Sequence, residues 1–128
     1  MALAEAITNV SGVKHDALNK ISFSANWMSS TKTADEKGDL VRGVQALANM
    51  ADSLNVSVPV GKDSLSMKVN WKEGQSEHTV TSPMTLNISS FSNVNDLNKS
   101  VSPELSDSDT TLLHLWSHSD KYLSLIHI

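Results

Sequence analysis

Residues 33–60 read TADEKGDLVRGVQALANMADSLNVSVPV, and their period changes once. Leu40, Val44, Leu47, Ala51 and Leu54 fall at intervals of four, three, four and three, which lays one apolar stripe along an α-helix. Thr33 or Asp35 is available as N-cap, and Asn55 tolerates the left-handed conformation that ends a helix. Val56, Val58 and Val60 then alternate with Ser57 and Pro59, the period of a strand. Pro59 has no amide hydrogen, so that strand belongs at a sheet edge or at an irregularity in pairing.

Downstream, the strand is expected to run into a loop at Gly61-Lys62-Asp63-Ser64. Leu65, Met67, Val69 and Trp71 resume the alternation, Glu73-Gly74-Gln75 makes a turn, and Met84, Leu86 and Ile88 mark another strand. A polar linker follows from Asn93 to Asp109, and Leu112, Leu113 and Leu115 begin one more strand. Upstream, Ile21, Phe23, Ala25 and Trp27 alternate with Ser22, Ser24 and Asn26, which predicts a half-buried strand. Leu3, Ile7 and Val10 predict a short helix from Ala2 to Val10. No capping residue precedes Ala2, so the helix reads as cut off and the chain as an internal piece of a longer protein. The order predicts an α+β fold, a helix layer against a largely antiparallel sheet, without an internal repeat.

A chain of 128 residues can bury one modest core. Its net charge of -4 and scattered basic residues exclude a nucleic-acid footprint or a cationic membrane surface. The sequence contains no cysteine, which removes disulfides, thiolate metal sites and a cysteine nucleophile. Met1 to Val10 has neither the basic flank nor the apolar run of a signal peptide or a membrane span, and a cytoplasmic location is the expectation. The sequons at Asn9, Asn55 and Asn87 are then chance occurrences in an Asn- and Ser-rich chain.

Glu5 and Asn9 stand four apart on a face of the first helix different from the Leu3 and Ile7 face. A carboxylate and an amide carbonyl are hard oxygen ligands, and the pair suits magnesium, whose other ligands are commonly water and nucleotide phosphates. On the residues alone a solvated helix face is the competing reading. Gly61, Lys62, Asp63 and Ser64 offer a flexible backbone, a cation, a carboxylate and a hydroxyl, a set that could hold a phosphate. It is not a P-loop, because Val56 stands where a glycine would be needed and Asp63 follows Lys62; a polar hairpin is the alternative. His114 and His118 have a zinc-ligand spacing without a third ligand. Trp27, Trp71 and Phe91 read as core or rim residues.

Four blocks in order carry a resemblance: Ala4-Glu5-Ala6-Ile7-Thr8-Asn9, Ser24-Ala25-Asn26-Trp27-Met28, Val58 through Lys68, and Thr81-Ser82-Pro83-Met84-Thr85-Leu86. Together they resemble the large, single-chain form of phosphoribosylformylglycinamidine synthase. The resemblance implies an aminoimidazole-ribonucleotide-synthetase-like domain. Residues 1–110 would be part of the second domain of N-terminal type, and 111–122 the start of the following domain or divergent sequence. Residues 123–128 match what a sequencing-library transposon end encodes when read in frame, and are read as such a tail. Thr31 to Gly38 departs from the Pro-Gly-Glu-Asp-like stretch that the family usually carries there.

For function, the resemblance implies ATP- and glutamine-dependent amidation of phosphoribosylformylglycinamide in purine biosynthesis. Glu5 and Asn9 match residues that bind Mg2+ at a nucleotide site, either a catalytic one for ATP or an auxiliary one for ADP. Gly61, Lys62, Asp63 and Ser64 match a segment lining that ligand region. Lacking a cysteine for glutamine hydrolysis, the chain alone is expected to be inactive. The alternatives are a non-catalytic nucleotide-binding module and another enzyme of the aminoimidazole ribonucleotide synthetase superfamily.

Overall fold

The computed structural model describes residues 1–105, 111 and 113. Helix α1 spans Ala2–Val10, strand β1 Ser22–Met28, helix α2 Ala34–Leu54, and strands β2, β3, β4 and β5 span Ser57–Ser64, Lys68–Glu73, Ser76–Thr81 and Thr85–Phe91. The fold is α+β. Its main sheet has three strands in the order β2-β1-β5, while β3 and β4 form a separate hairpin.

Helix α2 forms where the apolar stripe predicts it, and both ends are chemically marked. The Glu36 amide donates to Thr33 Oγ1 at 3.2 Å, and the Glu36 carboxylate accepts from the Thr33 amide at 2.9 Å, a reciprocal capping box. The helix stops at Asn55, whose φ of 52° and ψ of 45° are left-handed. Helix α1 begins after Met1 with no side-chain cap.

The expectation of a largely antiparallel sheet requires correction. β1 pairs antiparallel with β5, but it pairs parallel with β2, so the sheet is mixed. The reason is α2: after β1, a helix of this length carries the chain back along the sheet, and the next strand can then run in the original direction. Pro59 lies where the register slips, since Ser22 faces Ser57 but Ser24 faces Val60, and β2 is an edge strand. A second correction concerns residues 61–64, which are not a loop. Ala25, Asn26, Trp27 and Met28 pair in turn with Gly61, Lys62, Asp63 and Ser64, so backbone pairing continues β2 through residues whose side chains favour turns. The hairpin's second strand, β4, has no predicted counterpart. The expected strand at Leu112, Leu113 and Leu115 falls mostly outside the described residues.

Both helices lie on the sheet face that carries Phe23 and Ala25. Leu3, Ala6, Ile21, Phe23, Ala51 and Val56 form the core, with Leu47, Met50, Leu54 and Ile88 packed around them. Full burial of a side chain such as Phe23 or Ile21 contributes about 1.5–3 kcal/mol. The opposite face, with Asn87 and Ser89 of β5 and Lys62 of β2, is exposed.

Candidate functional site

Helix α1 is amphipathic, and its rotation decides what it presents. Leu3 and Ala6 are buried, Ile7 and Val10 pack against the same core, and Glu5 and Asn9 are exposed. Side chains four apart on a helix have neighbouring Cβ atoms about 6 Å apart, so the two can reach a common ligand. Within the helix, Thr8 Oγ1 donates to the Glu5 carbonyl at 2.9 Å. Among the described residues, neither Glu5 nor Asn9 takes part in a salt bridge.

These donors fit a hard divalent cation: a carboxylate oxygen and an amide oxygen, both exposed and one helical turn apart. Nor does any cluster of three or more His, Cys, Asp or Glu side chains with metal-holding geometry occur among the described residues.

The pleat of β2 divides the second candidate group. Successive strand residues point to opposite faces, so Gly61 and Asp63 lie on the Ala25 and Trp27 side, Lys62 and Ser64 on the Asn26 and Met28 side. Lys62 Nζ donates to Ser64 Oγ at 3.0 Å, which keeps the cation and the hydroxyl together and leaves the carboxylate on the other face. α1 packs against β5 while β2 runs along the other side of β1, so within this chain the Glu5–Asn9 pair and the Gly61–Ser64 segment are not adjacent.

Other polar arrangements are structural. Glu36 Oε2 accepts from the Lys32 amide at 2.8 Å and the Ser30 hydroxyl at 3.1 Å, besides the Thr33 amide. The Thr33 amide first, with the Ser30 and Lys32 donors, holds the Glu36 carboxyl below its ordinary value against a smaller opposing effect of desolvation. Trp27 is half-buried, while Trp71 and Phe91 are exposed at the rim. Trp71 stacks on His78 with ring centroids 5.0 Å apart, a pair that alternation did not reveal because β4 carries little apolar sequence. His114 and His118 lie outside the described residues.

No helix among the described residues is long and apolar enough to cross a membrane. The family model for the FGAR-AT PurM_N-like domain matches residues 1–93, a span that contains α1, α2 and β1 to β5. The chain therefore belongs to the FGAR-AT PurM_N-like domain family, the family of phosphoribosylformylglycinamidine synthase, a ligase of purine biosynthesis.

Proposed function

We propose that this chain supplies part of a magnesium–nucleotide site in the ATP- and glutamine-dependent ligase that converts phosphoribosylformylglycinamide to the formylglycinamidine. The observation that carries the reading is the outward presentation of Glu5 and Asn9 from α1, inside the span that matches the family. Glu5 contributes the charge that holds the cation, and Asn9 a neutral oxygen that orients it. Bound there with ATP, or with ADP at an auxiliary site, Mg2+ neutralises phosphate charge. Residues 61–64 match a segment of the family's ligand region, but Lys62 and Ser64 lie on the sheet face opposite the helices while Gly61 and Asp63 share the helix side, so the metal reading rests on Glu5 and Asn9 without them.

Release of ammonia from glutamine needs a cysteine nucleophile, and the sequence has none, so that step belongs to another part of the enzyme. Residues 1–110 are assigned to the second synthetase-like domain of N-terminal type, in a cytoplasmic enzyme.

The test uses the full-length enzyme with Glu5→Gln and Asn9→Asp. Glu5→Gln should weaken nucleotide retention, and Asn9→Asp should alter its metal dependence. At a catalytic site, turnover falls while the melting temperature holds. At an auxiliary site, melting temperature falls with the lost nucleotide, because a ligand that binds only the folded state stabilises it. Parent-like nucleotide retention, metal response, turnover and melting in both variants would overturn the reading.

A further inference from the structure

We infer that Ser90 is the positioning residue that holds α1 in the rotation from which Glu5 and Asn9 present their oxygens to a divalent cation; this rests on the metal reading above. Ser90 Oγ donates to the Ala6 carbonyl at 3.3 Å, joining residues 84 apart in sequence. That carbonyl lies on the turn between Glu5 and Asn9. Ala6 is 6% exposed and carries only a methyl group, so α1 approaches β5 closely enough for a short hydroxyl to reach its backbone.

The other contacts under α1 are apolar. Leu3 and Ala6 rest on the Phe23 cluster, and Phe23 is the cross-strand partner of Ser90. Apolar burial is non-directional and tolerates small rotations or slides of a helix. A hydrogen bond to one particular carbonyl does not. Because α1 also lacks a side-chain N-cap, its own first turn does not fix its register, and the Ser90 bond provides a directional link to the sheet.

The test compares Ser90→Val with Ser90→Thr in the full-length enzyme, since these side chains share a shape and differ by the hydroxyl. Ser90→Ala is the second deletion. Mn2+ binding is followed by its electron paramagnetic resonance signal with ADP present, alongside the melting temperature. Ser90→Val and Ser90→Ala should weaken Mn2+ binding about three- to tenfold, the scale of one net hydrogen bond, while Ser90→Thr binds like the parent. Equal Mn2+ affinity in the Val and Thr variants overturns the proposal, as does a lower melting temperature with parent-like affinity. Glu5→Gln is titrated in parallel. If it binds Mn2+ like the parent, the metal reading itself fails; if it alone is weakened, only the role of Ser90 fails.

Discussion

Gly43 on α2 faces Met84 so closely that a Cβ added to it would stand 2.9 Å from Met84 Cε and 3.1 Å from the Trp27 ring. The glycine lets α2 settle onto the segment that leads into β5. Gly38, on the same helix, differs: a Cβ there would meet only the flexible end of Arg42, at 3.2 Å.

Alanine at these two glycines should therefore have effects of opposite sign. Either change gains about 1 kcal/mol of helix propensity. At Gly43 the terminal methyl of Met84 can swing aside, but the Trp27 ring at 3.1 Å gives less readily; overpacking there costs about 1–3 kcal/mol, so Gly43→Ala should lower stability by up to about 2 kcal/mol. Gly38→Ala should raise it by up to about 1 kcal/mol. Thermal unfolding of both variants checks the pair, and stabilisation by Gly43→Ala would contradict the close approach.

The capping box makes a mutational and a pH prediction. Thr33→Ala should cost about 1 kcal/mol by leaving a first-turn amide unsatisfied. Glu36 has its folded value depressed, chiefly by the Thr33 amide. Its contribution is therefore present above the ordinary glutamate value and is lost as pH falls through the depressed one. Glu36→Gln should flatten that part of the acid limb of a stability–pH curve, and an unchanged limb would count against it.

At Asn55 the left-handed backbone sets the order of substitutions. Asn55→Ala should destabilise by about 1–2 kcal/mol, because a Cβ without a local hydrogen-bonding group is strained there. Asn55→Gly should stay within a few tenths of a kcal/mol of the parent, roughly as for other helix ends. Denaturant midpoints for the two variants measure the difference.

The β3–β4 hairpin and β1 should differ in amide exchange. β1 is paired on both sides and holds the buried Phe23 and Ala25, whereas β3 and β4, among the described residues, form a two-stranded sheet of their own and expose Val69, Trp71 and Val80. Hairpin amides should exchange by local opening well before those of β1. Equal protection in the two regions would show that the hairpin is not an independent unit.

Much of this architecture is legible in the sequence. The spacing from Leu40 to Leu54 locates α2, Leu3, Ile7 and Val10 locate α1, and the Ile21–Trp27 alternation locates β1. Strand partners are another matter, because alternation reports which residues share a face and says nothing of the neighbour's direction. Residues 61–64 read as a loop since Gly, Lys, Asp and Ser favour turns, yet backbone pairing with β1 is indifferent to side-chain identity. β4 escapes for a similar reason: Ser76-Glu77-His78-Thr79-Val80-Thr81 has too little apolar contrast to show a period. Spacing brings Glu5 and Asn9 to one helix face, but a solvated face has the same spacing, and the metal reading is a proposal that leans on the resemblance.

The order β2-β1-β5 puts the earliest of these three strands in sequence between the other two. Of the three, β1 leaves the ribosome first, and its pairing within this sheet waits for β2, after α2, on one side and for β5 on the other. The far edge stays open until the hairpin has passed and β5 follows. Closing each loop costs entropy before pairing repays it, which favours the β2 side first. Nascent chains stalled at successive lengths should therefore gain protease resistance at β1 in two stages, the second only after Phe91 has emerged from the exit tunnel.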